Sequence, residues 1–328
     1  MPPMIIVHRP QTDPWFNIAA EEYFLKNFRE DIFMLWQNEA SIIVGKHQNT
    51  LAEINYPYVK GNGIPVIRRI SGGGTVFHDL GNLNFTFIQN GEKGKLVDFK
   101  KFTNPILAVL NEMGVPAVFE GKNDLRVNGL KISGNAEHVF KNRVLHHGTL
   151  LFSSVLTDLG KALKVIPDRF NDKAVKSNRS IVANISGFLK TPMEIEEFRN
   201  RIIKYVYTWN NVTFYKMTTE DIWEIEKLKE EKYATWKWNF GYSPNYSFLS
   251  SIQVNDVKIG FSIHVRKGLV SDLKTLDDKP ENKLIELINK QIKDSPHEES
   301  SIRDRLEMIN DELGEMGLSP KGITAYLF

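Results

Sequence analysis

The sequence contains no cysteine among its 328 residues. The protein therefore forms no disulfide and has neither a thiolate nucleophile nor sulfur ligands for zinc. The sequence also lacks a run of about 18 apolar residues, which a transmembrane helix needs. Its first residues lack the basic segment and long apolar segment of a signal peptide. We therefore expect a soluble cytoplasmic protein with no membrane partner.

The sequence has no excess charge of one sign. Its 42 Lys and Arg residues oppose 40 Asp and Glu residues, and no polybasic run occurs. A nucleic-acid-binding protein would carry a basic field, so nucleic acid is not an expected partner. The length predicts two domains. We place a large domain at residues 1–246 and a small one at 247–328, with a turn-rich junction at 242–246.

The most informative segment is residues 68–79, which reads Arg-Arg-Ile-Ser-Gly-Gly-Gly-Thr-Val-Phe-His-Asp and follows an apolar run. Three consecutive glycines leave backbone without side chains, so a ligand can approach the amide groups closely. Successive N–H groups at such a turn can bind an anion, and guanidinium groups suit phosphate or carboxylate. A glycine-rich hairpin loop without a ligand is the alternative. The flanking Arg68, Arg69 and Ser71 favour the anion-binding interpretation.

Two common phosphate-binding motifs do not match this segment. A Walker A loop ends in Gly-Lys-Ser/Thr, whereas Gly74 is followed by Thr75 and Val76. A dinucleotide fingerprint needs a third glycine, and that position is Phe77.

The pattern of the rest of the chain is typical of an α+β protein. Asp13 is expected to cap a helix that starts at Trp15. Residues 83–87 alternate strictly between apolar and polar, which predicts a strand with one buried face. Other predicted strands cover 32–36 and 41–44, and other predicted helices cover 102–113 and 193–209. The small domain is predicted to contain a three-stranded meander and two helices.

Residues 123–134 form the second informative segment. Asn128-Gly129 between alternating runs predicts a β-hairpin with a two-residue turn. Residues directly opposite then share a face. The expected apolar pairs are Val127 with Leu130 and Leu125 with Ile132, and the expected polar pairs are Arg126 with Lys131 and Asp124 with Ser133. A solvated strand lysine is the alternative interpretation of Lys131.

Two further features invite a functional interpretation. His146 and His147 are adjacent on a predicted strand, so they point to opposite faces and cannot chelate one metal together. Residues 171–183 form a long polar loop, which is either a ligand lid or a plain surface loop.

Together these segments resemble the lipoate–protein ligase A family of two-domain bacterial enzymes. The resemblance extends from the first helix to the end of the large domain. The matching stretches are 13–17 with Glu21 and Glu22, 45–49, 68–82, 121–125, 131–134, 146–151 and 236–241.

The resemblance implies an α+β fold with a large biotin/lipoate–protein-ligase-like catalytic domain, which has mixed sheets and flanking helices, and a small α+β accessory domain. It implies that lipoate's carboxylate attacks the α-phosphorus of ATP to give lipoyl-AMP and pyrophosphate. A lysine of a lipoyl domain then takes the lipoyl group and AMP leaves. The implied acceptors are the acyltransferase subunits of 2-oxoacid dehydrogenases and the glycine cleavage H protein.

The resemblance also implies roles for individual residues. Lys131 is the implied catalytic residue, which bridges the carboxylate and the α-phosphate. Asp124 is implied to help bind Mg²⁺. The residues implied to bind ATP or adenylate are Arg69, Gly74, Thr75, Val76, Phe77, Asn123, Asp124, Lys131 and Arg179. Those implied to bind lipoate are Trp36, Ser71, Gly73, His78, Lys131 and His147.

Some positions depart from the family's pattern. In residues 173–182, which match the family's nucleotide-covering loop, Ala174 replaces a glycine and Ile181 replaces an arginine. His138 stands where an arginine can occur near the acyl pocket. A lipoyltransferase that uses preformed lipoyl-AMP, and a non-catalytic sensor of lipoate or adenylate, are therefore the alternatives. The absence of cysteine argues strongly against an octanoyltransferase that acts through a cysteine.

Overall fold

The computed structural model describes residues 3–92, 94–163, 169–178, 180–254, 257–276 and 282–328. In this part of the chain the strands are β1 (Met4–His8), β2 (Asp31–Trp36), β3 (Ser41–Val44), β4 (Val66–Arg68), β5 (Val76–His78), β6 (Asn82–Asn90), β7 (Val118–Glu120), β8 (Asp124–Val127), β9 (Leu130–Phe140), β10 (Arg143–Leu151), β11 (Phe170–Asp172), β12 (Val212–Lys216), β13 (Tyr246–Val254), β14 (Val257–Arg266) and β15 (Leu269–Thr275).

The helices of the same residues are α1 (Pro14–Asn27), α2 (Thr50–Glu53), α3 (Tyr56–Gly61), α4 (Phe99–Glu112), α5 (Leu156–Ala162), α6 (Ile195–Tyr207), α7 (Thr219–Leu228), α8 (Lys283–Ile292), α9 (Glu299–Glu307), α10 (Asn310–Glu315) and α11 (Pro320–Tyr326). A 3₁₀ turn covers Ile185–Phe188, and π-helical turns cover Lys229–Tyr233 and Lys237–Gly241. None of these helices combines the length and apolar character needed to cross a bilayer.

The chain packs into two compact units, each assembled from separate stretches. The first contains Met1–Lys46, Ile64–Lys161 and Ser177–Ala234, and the second contains His47–Gly63, Ala162–Lys176 and Thr235–Phe328. The range 247–328, predicted as the accessory domain, lies wholly within the second unit. The predicted division at residue 246 stays a prediction.

The first unit is built on a mixed sheet with the order β12-β1-β2-β6-β10-β9-β8-β7. β12, β1 and β2 are parallel neighbours, and the other described neighbours are antiparallel. A smaller sheet, β4-β3-β5, holds the glycine segment between β4 and β5. The mixed sheets and flanking helices confirm the predicted α+β class.

Helix α1 begins at Pro14, one residue before the predicted start, and Asp13 caps it as expected. The Asp13 carboxylate accepts hydrogen bonds from the amides of Trp15 and Phe16, at 2.9 and 3.2 Å, and Pro14 occupies the first helical position. The helix is buried around most of its circumference, including Glu21. A buried carboxylate is costly unless it has partners, so the environment of Glu21 is important.

Strand β6 is buried on both faces, so the prediction of a single buried face is wrong. Phe85 and Phe87 pack in the apolar core, as expected, but Asn84 and Thr86 on the other face are also buried. These polar side chains can be buried because they form hydrogen bonds inside the protein. The Thr86 hydroxyl donates to Glu21 of α1.

The second unit contains a four-stranded sheet with the order β11-β13-β14-β15. The predicted meander corresponds to β13, β14 and β15, and the first predicted helix corresponds to α8. The second predicted helix is divided into α9 and α10. The short strand β11 comes from much earlier in the chain and pairs with β13, and the sequence did not indicate it. The core of this unit includes Ile285, Ile288 and Ile292 of α8 and Ile302 and Leu306 of α9.

Candidate active site

The glycine segment is held by the guanidinium of Arg69, which is 5% exposed. Its Nε donates to Ser71 Oγ at 2.9 Å, and its Nη1 donates to the Ile43 carbonyl at 3.1 Å. Its Nη2 donates to the carbonyls of Gly72 and Gly74, at 2.5 and 2.8 Å. Arg69 therefore organises the loop that the sequence singled out. Its predicted contact with phosphate stays a prediction.

Gly73 is the position in this loop where a glycine is required. Its φ of +88° lies in the left-handed region, and a Cβ there would come within 3.0 Å of Arg69 Nη2. The same Cβ would lie 3.8 Å from the Cβ of Ala136, on the strand that carries Lys131. The glycine loop therefore lies against β9.

A chain of buried hydrogen bonds leads away from this loop. Ser71 Oγ lies 2.6 Å from His147 Nε2, and His147 Nδ1 lies 2.9 Å from Glu21 Oε2. The Thr86 hydroxyl donates to Glu21 at 2.6 Å, and Trp36 Nε1 donates to that hydroxyl at 2.9 Å. Glu21 and Thr86 thus join three residues that are predicted to bind lipoate, namely Trp36, Ser71 and His147.

His78, also predicted to bind lipoate, is a neutral buried imidazole. It is 3% exposed, and its ring lies edge-on to Trp36 at 5.9 Å between centroids. Burial, with Arg69 and His147 nearby, lowers the pKa of His78 to about 3. Asn38 Nδ2 lies 3.1 Å from Nδ1, so Nε2 carries the ring proton. Among the described residues, Nε2 has no hydrogen-bond partner.

His146 points to the opposite face of the sheet from His147, as the strand pattern predicts. Its Nδ1 lies 2.8 Å from Glu137 Oε1, and its ring stacks on Phe102 at 5.0 Å. Burial lowers the pKa of His146 to about 3. His146 is therefore a buried structural histidine on the reverse of the sheet.

The β8–β9 hairpin has the predicted turn but not the whole predicted register. Asn128 and Gly129 both have positive φ, at 51° and 77°. The pairs Val127–Leu130 and Arg126–Lys131 are as expected. The expected pairs Leu125–Ile132 and Asp124–Ser133 are wrong, because Leu125 pairs with Ser133 and Asp124 pairs with Gly134.

A β-bulge causes this change of register. Ile132 is the extra residue on β9, and both Ile132 and Leu125 remain fully buried. The shift also brings the Asp124 carboxylate between two cations. Its Oδ1 lies 2.9 Å from Lys131 Nζ and its Oδ2 lies 2.9 Å from Arg126 Nη2. Asp124 thereby offsets the repulsion between the opposed cations Arg126 and Lys131.

Lys131 lies at the rim of the site with 22% of its side chain exposed. Its Nζ and Cε lie over Gly134, where a Cβ would come within 3.0 Å of both atoms. The neighbouring Asn123, predicted to bind the nucleotide, exchanges hydrogen bonds with Asn135 through both backbone and side chain.

The segment at residues 173–182, predicted to cover the nucleotide, contacts both the glycine loop and β9. Lys131 N donates to the Ile181 carbonyl and Ala183 N donates to the Lys131 carbonyl, each at 3.0 Å. The Thr75 amide donates to Ser177 Oγ at 2.8 Å. Ile181, which replaces the family's arginine, is 76% exposed, so the pairing at this position uses backbone alone. Arg179 lies outside the described residues.

The remaining predicted residues follow the glycine loop. Val76 and Phe77 lie on β5, where Phe77 is 4% exposed and pairs with Ile42 of β3. The structure thus places Trp36, Arg69, Ser71, His78 and His147 in one buried cluster. The hairpin residues lie at the rim.

Glu21 lies in the site, but no role was predicted for it from the sequence. The available signal was the helical spacing of Glu21 from Ile18 and Leu25, which places a carboxylate on the same helix face as two apolar residues. Such an acid is either half-exposed or paired in the interior, and sequence alone does not distinguish these cases.

Among the described residues, no three His, Asp or Glu side chains are grouped to hold a metal ion. Mg²⁺ is usually bound by one or two carboxylates together with substrate phosphates. Asp124 could supply one carboxylate oxygen to such a site only by releasing Lys131 or Arg126, because each of its oxygens is bound to one of these cations.

Residues 13–207 match the family model of the lipoyl protein ligase A/B catalytic domain. The chain therefore belongs to this family. Lipoate–protein ligase 1 of Staphylococcus aureus is 45% identical over 269 residues, which cover 81% of this chain and 82% of that protein. The lipoate-protein ligase LplJ of Bacillus subtilis is 42% identical over 303 residues, with coverage of 91% and 92%.

Two solved structures have the same fold. A crystal structure of lipoate-protein ligase A bound with ATP has a TM-score of 0.63 and 26% identity, and covers 74% of this chain and all of that chain. The structure of LipL1 from P. falciparum with lipoate has the same TM-score and identity, with coverage of 94% and 95%. The recognition of the family and fold from the sequence is confirmed.

Proposed function

We propose that the chain is an ATP-dependent lipoate–protein ligase in which Lys131, the glycine loop and the nucleotide-covering loop form one activating site. The ligases named above act on lipoate, and one related structure holds ATP. The observation that carries the proposal is the position of Lys131. Its backbone binds the covering loop, and its ammonium lies at the rim over Gly134.

The first half-reaction joins two anions. The lipoate carboxylate attacks the α-phosphorus, an O–P bond forms, and the bond to pyrophosphate breaks. An ammonium placed between carboxylate and α-phosphate reduces their repulsion and stabilises the charge of the transition state. Lys131 has this role, and the amides of the glycine loop bind phosphate oxygens.

The second half-reaction transfers the lipoyl group. A neutral lysine amine of the acceptor attacks the acyl carbon, the N–C bond forms, and AMP leaves with the electrons of the C–O bond. The amine has an ordinary pKa of ~10.4, so it must lose a proton before attack. No enzyme-bound acyl intermediate is needed. Trp36, Ser71, His78 and His147 line the lipoate pocket.

Mg²⁺ is the expected cofactor, with Asp124 as its protein ligand. When bound, it would neutralise charge on the triphosphate. The acceptors are lipoyl-domain proteins. We infer that these are the acyltransferase subunits of 2-oxoacid dehydrogenases and the glycine cleavage H protein.

The departure from the family's pattern at Ile181 does not argue for loss of ATP activation. The covering loop is bound to Lys131 through backbone groups, and the side chain at 181 points outward. Loop attachment in this state therefore does not depend on an arginine at that position.

Lipoate-dependent exchange of labelled pyrophosphate into ATP tests this function. We expect exchange with the wild-type protein, and transfer to a lipoyl domain when the acceptor is added. Absence of exchange, with transfer from synthetic lipoyl-AMP intact, would show a lipoyltransferase. Absence of both activities, with lipoate binding intact, would show a sensor.

A further inference from the structure

Glu21 is a buried carboxylate that the two half-reactions above do not use. Its side chain is 1% exposed. Burial lowers the pKa of Arg9 and of Arg69 to about 10, and the charge of Glu21 opposes both shifts. A buried carboxylate is costly unless its charge is opposed and its oxygens accept hydrogen bonds. Glu21 meets both conditions.

The hydrogen bonds around Glu21 have a consistent direction. Trp36 Nε1–H is only a donor, so the Thr86 hydroxyl accepts it and gives its own proton to Glu21. With Glu21 ionised and His147 neutral, His147 Nδ1 donates to the carboxylate. His147 Nε2 then carries a lone pair that accepts the Ser71 hydroxyl proton.

Arg69 continues this chain to the glycine loop. Its Nε–H donates to Ser71 Oγ, which fixes the plane of the guanidinium and turns Nη2 toward the carbonyls of Gly72 and Gly74. The Gly74 carbonyl and the Thr75 amide belong to one trans peptide unit, so they point in opposite directions. By holding that carbonyl, Arg69 directs the Thr75 N–H away from itself.

We propose that Glu21 is a positioning residue for adenylate formation, an inference that rests on the function proposed above. It fixes His147 as the Nδ1–H tautomer. Through Ser71 and Arg69 it then directs the Thr75 amide toward the nucleotide.

Glu21→Gln tests the proposal with little change of shape. The new amide can donate to His147 Nδ1, so the ring proton moves to Nε2 and Ser71 loses its acceptor. We expect kcat for exchange to fall about 10²-fold, as for other carboxylates that orient a histidine. In ¹⁵N-histidine-labelled protein, His147 should change from the Nδ1–H to the Nε2–H tautomer, with its signal identified by its loss in His147→Asn.

Glu22→Gln is the matched control. Glu22 is the next residue of α1, is 4% exposed, and is bonded to Lys26, Lys232 and Tyr233 instead of His147. This variant should lose stability but keep both the wild-type kcat and the His147 tautomer. Equal kcat losses in the two variants would mean a general packing effect and would overturn the proposal.

The tautomer is read without substrate, so it is independent of the ligation function. An Nε2–H tautomer in the wild-type protein would overturn the positioning role, whereas absent exchange would overturn only the ligation function. In a double-mutant cycle, Glu21→Gln should cost little more once Ser71→Ala is present. Fully additive losses in kcat would contradict a connected chain of hydrogen bonds from Glu21 to Ser71. If Glu21→Gln does not fold, Thr86→Val should still lower kcat several-fold, and wild-type kcat would reject the proposal.

Discussion

Among single residues, Asp124 balances the positive charges at the rim of the site. Each of its oxygens is bound to a different cation, Lys131 or Arg126. An arriving triphosphate offers Lys131 a second anion, while Arg126 continues to neutralise Asp124. The lysine can therefore turn to substrate without leaving an unpaired carboxylate.

Lys131→Ala is expected to reduce lipoate-dependent exchange at least ~10³-fold, because the two reacting anions lose their shared cation. The ion pair is partly exposed, so the free energy of unfolding should change by less than about 1 kcal/mol. Exchange kinetics and urea unfolding measure the two effects. Lys204→Ala, on the exposed face of α6, is the control and should leave exchange unchanged. Normal exchange in Lys131→Ala would remove this residue from the mechanism.

The Thr75 amide donates a hydrogen bond to the Ser177 hydroxyl. If this amide binds a phosphate oxygen, ATP must first displace the hydroxyl. Ser177→Ala should therefore lower the KM for ATP by a factor of about 2 to 10, the value of one net hydrogen bond. A higher KM in initial-rate measurements would instead make Ser177 part of the nucleotide site. Ser180→Ala, in the same loop, is the comparison variant.

Among the elements, β10 has no space for a side chain at Gly148. A Cβ on Gly148 would lie 2.1 Å from Asn135 Oδ1 and 2.5 Å from a ring carbon of Phe85. Both neighbours are buried, so neither can move into solvent.

Gly148→Ala should lower the free energy of unfolding by about 2 to 3 kcal/mol, because overpacking forces a backbone or side-chain shift. Gly160→Ala is the matched control. Gly160 lies within α5, where an added Cβ would have no neighbouring atom within 4 Å, and alanine there should stabilise by about 0.5 to 1 kcal/mol. Urea unfolding of both variants measures the difference. Equal stability of the two would show that β10 adapts without cost.

The elements that the sequence predicted correctly are those with local signals. Asp13 indicated the start of α1, Asn128-Gly129 indicated the hairpin, and the glycine run indicated the loop after β4. The bulge at Ile132 was not predictable, because it depends on burying Ile132 and Leu125 together in a core formed by distant residues. The partners of Glu21 also come from distant strands. The local chemistry of the site was therefore readable, whereas its buried support was not.

For the whole molecule, buried ionisable groups determine the response to pH. The pKa of His78 and of His146 is held at about 3, below the unfolded value, so the unfolded chain binds more protons below about pH 6.5. Stability then falls as pH falls. Glu137 acts in the opposite sense. Burial, with Asp98 nearby, raises its pKa to about 7, so its contribution is present at acid pH and is lost as pH rises through about 7.

Glu137→Gln removes this opposing contribution. The urea midpoint of the variant should therefore fall more steeply than that of the wild type between pH 7 and 5. Glu112→Gln, exposed at the end of α4, should follow the wild-type curve. Parallel curves for Glu137→Gln and the wild type would show that Glu137 is ionised throughout this range.

The two units share one chain in alternation, since the second unit takes in His47–Gly63 and Ala162–Lys176 as well as the end of the chain. A single cut therefore cannot liberate either unit whole. A fragment that starts at 247 leaves behind β11, the sheet neighbour of β13, together with Leu51 of its core. Gene fusions, split-protein reporters and single-site proteolysis must accordingly treat the enzyme as one indivisible polypeptide.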